Sequence, residues 1–305
     1  MGQKPAMQGK CRKRTASGFF EQSGYKPQEF WYNRADFVRR MGYGMIRLIA
    51  TDLDGTLLEK DGTLPEGFFD VANQLLDMGI AVAAASGRQY DNLRRMFMPI
   101  AGRMSFICEN GGLCATGRQV VATNPIDRTL VMTIVEELQS LGMRVLISGE
   151  KCCYVLDDDR WFMEDMAFRL RNTTAVVSGF SLIDEPIIKF SGFTPDGVAT
   201  VADRLMNKWG DKLSAVMAGR NWFDFTLANK GIGLRNLMDS LGVQKEEVAA
   251  FGDHFNDETM LAAAGHPFLM KTADPRLFKP GTRWCEKVLP VLRQIAENGG
   301  ELPPV

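Results

Sequence analysis

Histidine is almost missing from this chain: His254 and His266 are the only two among 305 residues. The six cysteines, at positions 11, 108, 114, 152, 153 and 285, contain no C-x-x-C pair, so a zinc cage has no ligand set. Thiols scattered like this read as reduced and structural, in a cytoplasmic protein. No apolar run approaches the roughly 20 residues that a membrane span needs. No apolar stretch follows the basic N-terminus before Gly18, so a secretory signal is not expected either. The net charge of −1 gives no electrostatic footprint for nucleic acid. G-x-x-x-x-G-K-[ST] is absent, which excludes a P-loop. "GIGLRN" puts Asn236 where a dinucleotide fingerprint needs its third glycine.

What is present is enough for a substantial core: 45% of residues are apolar and 24% charged. Nine lysines and arginines against three acids give residues 1–44 a charge of +6, which leaves −7 for residues 45–305. Residues 1–44 read as a loosely ordered extension. From Met45 the chain alternates strand and helix signals. "IRLIAT", "IAVAAAS" (80–86) and "MSFICEN" (104–110) are short buried strands. "PEGFFDVANQLLDMG" and "QYDNLRRMF" lie between them as helices. The pattern resumes with a helix at 230–242, a strand at 248–253, a helix at 256–265 and a strand at 266–270.

This order predicts an α/β fold: a Rossmann-like, doubly wound parallel sheet with helices on both faces. Residues 45–127 and 212–305 form that core. Residues 128–211 mix helix and strand signals and read as an inserted α+β domain.

The chemistry begins at "LIATDLDGTLL" (48–58), where Asp52 and Asp54 end a strand two positions apart. Two carboxylates so close do not both ionise unless a cation stands near them. A hard divalent ion, above all Mg²⁺, fits that need. An EF-hand is excluded, because its loop glycine falls on Leu57. Alone, such a loop is as readily an Asx turn.

Three further segments lie at strand ends of the same sheet, the edge where open α/β sheets bind ligands. Ser86-Gly87-Arg88 offers a hydroxyl and backbone N–H groups to an anion, where an ordinary helix cap would look the same. Lys230, before a helix, can neutralise a phosphate oxygen, although a lone lysine is more often a solvated one. In "GDHFND" (252–257), Asp253 can add a third carboxylate to a metal. Asn256 there can donate to phosphate, and Asp257 can orient the metal ligands.

Taken in order, DLDGTLL (52–58), SGR (86–88), NKG (229–231) and GDHFND (252–257) resemble the four motifs of the haloacid-dehalogenase-like phosphohydrolases. The insert resembles the cap of the Cof-type sugar-phosphate phosphatase branch. The likeness spans roughly residues 45–275. Beyond motif four, Phe268–Lys271 stand where relatives keep small residues.

The resemblance implies a Mg²⁺-dependent phosphatase of small phosphorylated metabolites, sugar phosphates in that branch, with the cap selecting the leaving group. It makes Asp52 the nucleophile and Asp54 the acid and base. It places the metal on Asp52, Asp253 and the backbone carbonyl of Asp54. Ser86, Lys230 and Asn256, with backbone N–H groups at Leu53 and Gly87, hold the phosphate. Asn110, in "ENGG" (109–112), takes a supporting place. A phosphohexomutase shares these motifs. A phospho-receiver module has a comparable aspartate but needs neither an insert nor an acid at Asp54.

Overall fold

The computed structural model describes residues 45–157, 159–166 and 172–302. The extension expected at residues 1–44 lies outside them.

The core sheet has eight strands. Its first five are β1 (Leu48–Thr51), β2 (Ala81–Ala85), β3 (Ser105–Cys108), β4 (Leu113–Thr116) and β5 (Gln119–Thr123). A second sheet follows in the chain: β6 (Arg144–Gly149), β7 (Cys153–Leu156), β8 (Thr174–Val177), β9 (Ile187–Phe193), β10 (Ser214–Met217) and β11 (Trp222–Thr226). The chain then returns to the core with β12 (Val248–Gly252), β13 (His266–Met270) and β14 (Arg283–Cys285). The core order is β14-β13-β12-β1-β2-β3-β4-β5, and the second order is β10-β11-β9-β6-β7-β8. In the core every neighbouring pair from β14 to β3 is parallel. The β3-β4 and β4-β5 pairs are antiparallel.

Alternation explains why the core needs helices on both faces. Ile49 turns to one side, where Phe68, Leu75, Leu292 and Ile295 pack. Leu48 and Ala50 turn to the other, against Leu234, Leu237, Met260 and Leu261. These residues belong to helices Phe68–Asp77 and Val288–Glu297 on the first face, and Lys230–Leu241 and Glu258–Ala263 on the second. The bulky Phe268 is accommodated by stacking on Phe251, with ring centroids 4.6 Å apart.

By the same rule the second sheet turns Leu146 and Phe193 toward Phe162 on one side and carries its main apolar face on the other. Phe190, Phe223 and Phe225 cover it together with Ile134, Leu138 and Leu205 from helices Arg128–Ser140 and Ala199–Trp209. One boundary needs correction. The insert was expected to end at 211, but β10 and β11 extend the second sheet to Thr226 by antiparallel pairing with β9. "WFDFT" alternates as a strand of either sheet would, and only its partner decides.

Four of the described cysteines, Cys108, Cys114, Cys153 and Cys285, are buried free thiols. Burial pushes Cys114 and Cys153 up to about 12, which leaves them unreactive. Among the described residues no helix is long and apolar enough to cross a membrane.

Candidate active site

The parallel strands β1 and β12 are neighbours, so their C-terminal ends bring Asp52 and Asp253 together. The backbone N–H of Asp52 donates to the Phe251 carbonyl at 2.9 Å, which carries the ladder to the first aspartate. The chain then reverses at Gly55, whose φ is +85°. A Cβ there would collide with the Asp253 carboxylate, so glycine is needed for shape as well as conformation. The Thr56 hydroxyl donates to Asp253 Oδ1 at 2.9 Å.

Lys230 is buried at the start of its helix, with 1% of its surface exposed. Its Nζ donates to Asp52 Oδ1 and, at 2.6 Å, to Asp257 Oδ1. Asp257 is fixed from its other oxygen, which accepts from the backbone N–H groups of Asp253 and His254, both at 3.0 Å. The Asn229 side chain caps the lysine helix by accepting from Ile232 N at 2.9 Å. Gly231 and Gly233, the dinucleotide decoy, have a packing reason. Side chains there would strike Thr259 and Ile107.

Carboxylate oxygens of Asp52, Asp253 and Asp257 lie within 4.8 Å of one another. That spacing suits one hard cation with oxygen ligands at roughly 2.0–2.6 Å. The charges agree: three carboxylates around one ammonium leave a surplus of two when all are ionised. Burial, helped by the charge of Asp257, pushes Asp52 up to about 7 against the pull of Lys230. Burial also raises Asp253. Burial alone would lower Lys230, but Asp257 and Asp52 outweigh it and raise it. A site that resists ionisation unaided is one that a divalent cation would complete.

Asp54 behaves differently. It is exposed, and its two oxygens accept from Arg88 Nη2 at 2.7 and 3.0 Å. Its side chain lies outside the three-carboxylate cluster, while the resemblance assigned its backbone carbonyl to the metal. Ser86 is buried at the end of β2, and its Oγ accepts from Arg88 N at 3.3 Å. Gly87 and Leu53 follow Ser86 and Asp52 directly, with Leu53 buried. Asn256 stands exposed in the 252–257 loop. Asn110 N donates to the Ser86 carbonyl at 3.0 Å, which ties its turn to the serine loop.

Some participants were not read from the sequence. Arg88 and Thr56 stood inside quoted motifs without a role. Glu109 reaches Lys189 Nζ at 2.8 Å across the two sheets. A lysine inside the apolar strand "IIKFSGF" was the available signal.

The model of the haloacid dehalogenase-like hydrolases matches residues 49–286, so the chain belongs to that family. The chain is 28% identical over 263 residues to the 5-amino-6-(5-phospho-D-ribitylamino)uracil phosphatase YbjI of Escherichia coli, covering 83% of this chain and 97% of that one. It is 26% identical to an HMP-PP phosphatase of Yersinia pseudotuberculosis, over 76% of this chain and 86% of the relative. A crystal structure from Eubacterium rectale superposes with a TM-score of 0.75 at 27% identity, covering 83% of this chain and all of that one. With this family and these relatives, the protein is a phosphoric monoester hydrolase. The receiver reading is thereby set aside.

Proposed function

We propose a Mg²⁺-dependent phosphatase that hydrolyses a small sugar phosphate, or a similar phosphorylated metabolite, through an aspartyl phosphate on Asp52. The observation that carries this reading is the buried Lys230 held between Asp52 and Asp257, with Asp253 completing a pocket for a divalent ion. Asp52 and Asp253 would hold Mg²⁺ by side-chain oxygens, Asp54 by its carbonyl, with Asp257 orienting them. When bound, the ion supplies charge neutralisation that lets a phosphate dianion approach carboxylates.

The chain's own residues then carry the two steps. An Asp52 oxygen attacks phosphorus as the bond to the leaving oxygen breaks. Asp54 gives a proton to that oxygen, and the alcohol departs. Asp54 next takes a proton from water, which attacks the aspartyl phosphate and frees Asp52. Ser86, Lys230, Asn256 and the N–H groups of Leu53 and Gly87 hold the phosphoryl oxygens. Asp54 can turn from Arg88 to the substrate at small cost. Its side chain is 66% exposed, and open ion pairs are worth only about 0–1 kcal/mol. A cytoplasmic location belongs to the same proposal.

The test is acid-quench trapping during turnover of 4-nitrophenyl phosphate. Wild type with Mg²⁺ should yield a hydroxylamine-sensitive phosphoprotein and free phosphate, and EDTA should abolish both. Asp52→Asn should trap none. Phosphate trapped on another residue, or full turnover by Asp52→Asn, would refute the mechanism. Return of the phosphoryl group to sugar without phosphate release would identify a mutase.

A further inference from the structure

Between the two sheets lies a cavity of about 780 Å³. Arg88 and Gln89 line it from the core, and Lys189, Ser191, Trp222 and Asp224 from the second sheet. Strand alternation decides which residues of that sheet face it. Phe190, Phe223 and Phe225 turn away into the apolar cluster. Lys189, Ser191 and Asp224 alternate with them along the strands and turn to the cavity. Register places Ser191 opposite Asp224 across the β9-β11 pair.

The Asp224 carboxylate is held rigidly. Ser191 Oγ donates to its Oδ1 at 2.7 Å, and Lys189 Nζ lies 3.2 Å from its Oδ2. Lys189 already has a partner in Glu109 at 2.8 Å. Burial alone would lower this lysine, but Asp224 and Glu109 outweigh it and raise it. One carboxylate neutralises one buried ammonium. Here two share it, so the cluster keeps a surplus negative charge. Surplus charge in a buried place is costly to maintain. Glu109 lines the cavity from a core turn and Asp224 from the second sheet, where it is 7% exposed.

We propose that Asp224 is a specificity-determining residue: it accepts hydrogen bonds from the hydroxyls of a polyhydroxylated leaving group. The proposal rests on the phosphatase reading above. Lys189 and Ser191 fix the carboxylate in position, and Trp222 offers an apolar wall to the C–H side of the same group. A hydroxyl donor satisfies the carboxylate oxygens that substrate binding removes from water. An alkyl chain of equal length leaves their remaining lone pairs, those not taken by Ser191 and Lys189, desolvated and unpaired. Sites built around a substrate hydroxyl reject the analogue lacking it by far more than apolar pockets discriminate by size.

Steady-state kinetics on glucose 6-phosphate, ribose 5-phosphate, sorbitol 6-phosphate, n-hexyl phosphate and 4-nitrophenyl phosphate test this. For wild type, kcat/KM on the best hydroxylated substrate should exceed that on n-hexyl phosphate at least 100-fold. Asp224→Ala should cut this ratio at least tenfold. The hydroxylated substrate should lose through KM, while n-hexyl phosphate gains. A merely structural role would lower every substrate in proportion, and that result overturns the proposal, as does an unchanged ratio. Glu109 still neutralises Lys189 in this variant, so folding should survive. Should it not, Ser191→Ala keeps all charges and must lower the ratio at least threefold; no change there refutes the assignment. If wild type releases phosphate from none of the five, the phosphatase reading itself has failed.

Discussion

The core edge and the polar face of the second sheet each hold a buried lysine between two carboxylates, but they are built in opposite ways. Lys230 meets Asp52 and Asp257 where a strand, a helix start and a loop converge. Each of these residues sits in a short contiguous motif, and a third carboxylate, Asp253, stands beside them. Lys189 meets Glu109 and Asp224 across two sheets, with one residue drawn from each of three distant segments. The first cluster carries enough surplus charge for a metal and lies at the ends of parallel strands, where backbone N–H groups are available. The second carries less surplus charge and lies mid-strand, where side chains alone define the wall. On the proposed reading, reaction chemistry belongs to strand ends and selection to a sheet face.

The largest expected effect would break this contrast at its centre. Lys230→Met leaves Asp52 and Asp257 buried without their cation. Removing one partner of a buried pair typically costs about 3–5 kcal/mol of stability. Loss of a positioned donor should also lower kcat by about 10²–10³-fold. Chemical denaturation and phosphate-release assays measure the two. A variant that folds as well as wild type and keeps its rate would show that Lys230 is only a filler.

Asp54→Asn comes next and separates the two opening aspartates. General acid–base help is worth about 10²–10⁴-fold. The loss should be greatest with alkyl phosphates, whose leaving oxygen needs the proton. With 4-nitrophenyl phosphate the first step survives, so phosphoprotein should accumulate under acid quench. Equal losses on both substrates, with no accumulation, would remove Asp54 from the proton-transfer role.

Gly55→Ala should act through the metal. Alanine at φ +85° costs about 1–2 kcal/mol, and its methyl group would push on the Asp253 carboxylate. Disturbing the support of a metal ligand typically weakens binding about 10–100-fold. The Mg²⁺ concentration for half-maximal activity should rise by that factor, with much of kcat recovered at saturation. An unchanged Mg²⁺ requirement would mean that Asp253 does not bind the ion.

The same contrast explains what could be read from the chain. The core was legible because each of its elements is short, periodic and punctuated: "IRLIAT" ends at Asp52, and "KGIGLRNLMDSLG" closes at Gly242 with φ +63°. That Asp52, Asp253, Asp257 and Lys230 would be neighbours was legible because each lies at such a junction. The partnership of Asp54 with Arg88 was not, since a side chain's direction within a turn leaves no periodic trace. The β4-β5 hairpin and the reach of the second sheet to Thr226 depend on which strand pairs with which. Asp224 was hidden for the same reason. In "WFDFT" it looks like the outward residue of any half-buried strand, and only the facing core turns that side into a cavity wall.

The smallest effect is expected on the far side of the second sheet, where the helices pack. Glu137 on helix Arg128–Ser140 accepts from Lys208 Nζ at 2.7 Å, Trp209 Nε1 at 2.9 Å and Arg204 Nη2 at 3.1 Å. Burial alone would raise its carboxyl, but the hydrogen bonds from Lys208 and Trp209 outweigh burial and hold it below the usual range. A depressed carboxylate binds fewer protons folded than unfolded, so its stabilisation is present at neutral pH. It fades as pH falls below the ordinary carboxylate value of about 4.3. Glu137→Gln keeps an acceptor for Trp209 and loses only the charge, so the cost should be about 1 kcal/mol, or roughly 2–4 °C in Tm. The difference from wild type should be full at pH 7 and shrink as pH falls below the ordinary carboxylate value. Turnover should stay within about twofold at pH 7, because this face meets neither the cavity nor the carboxylates. A Tm difference that persists undiminished at pH 3 would mean that shape, not charge, makes the contact. A large fall in turnover at unchanged Tm would instead join this helical face to catalysis and dissolve the separation between the two regions.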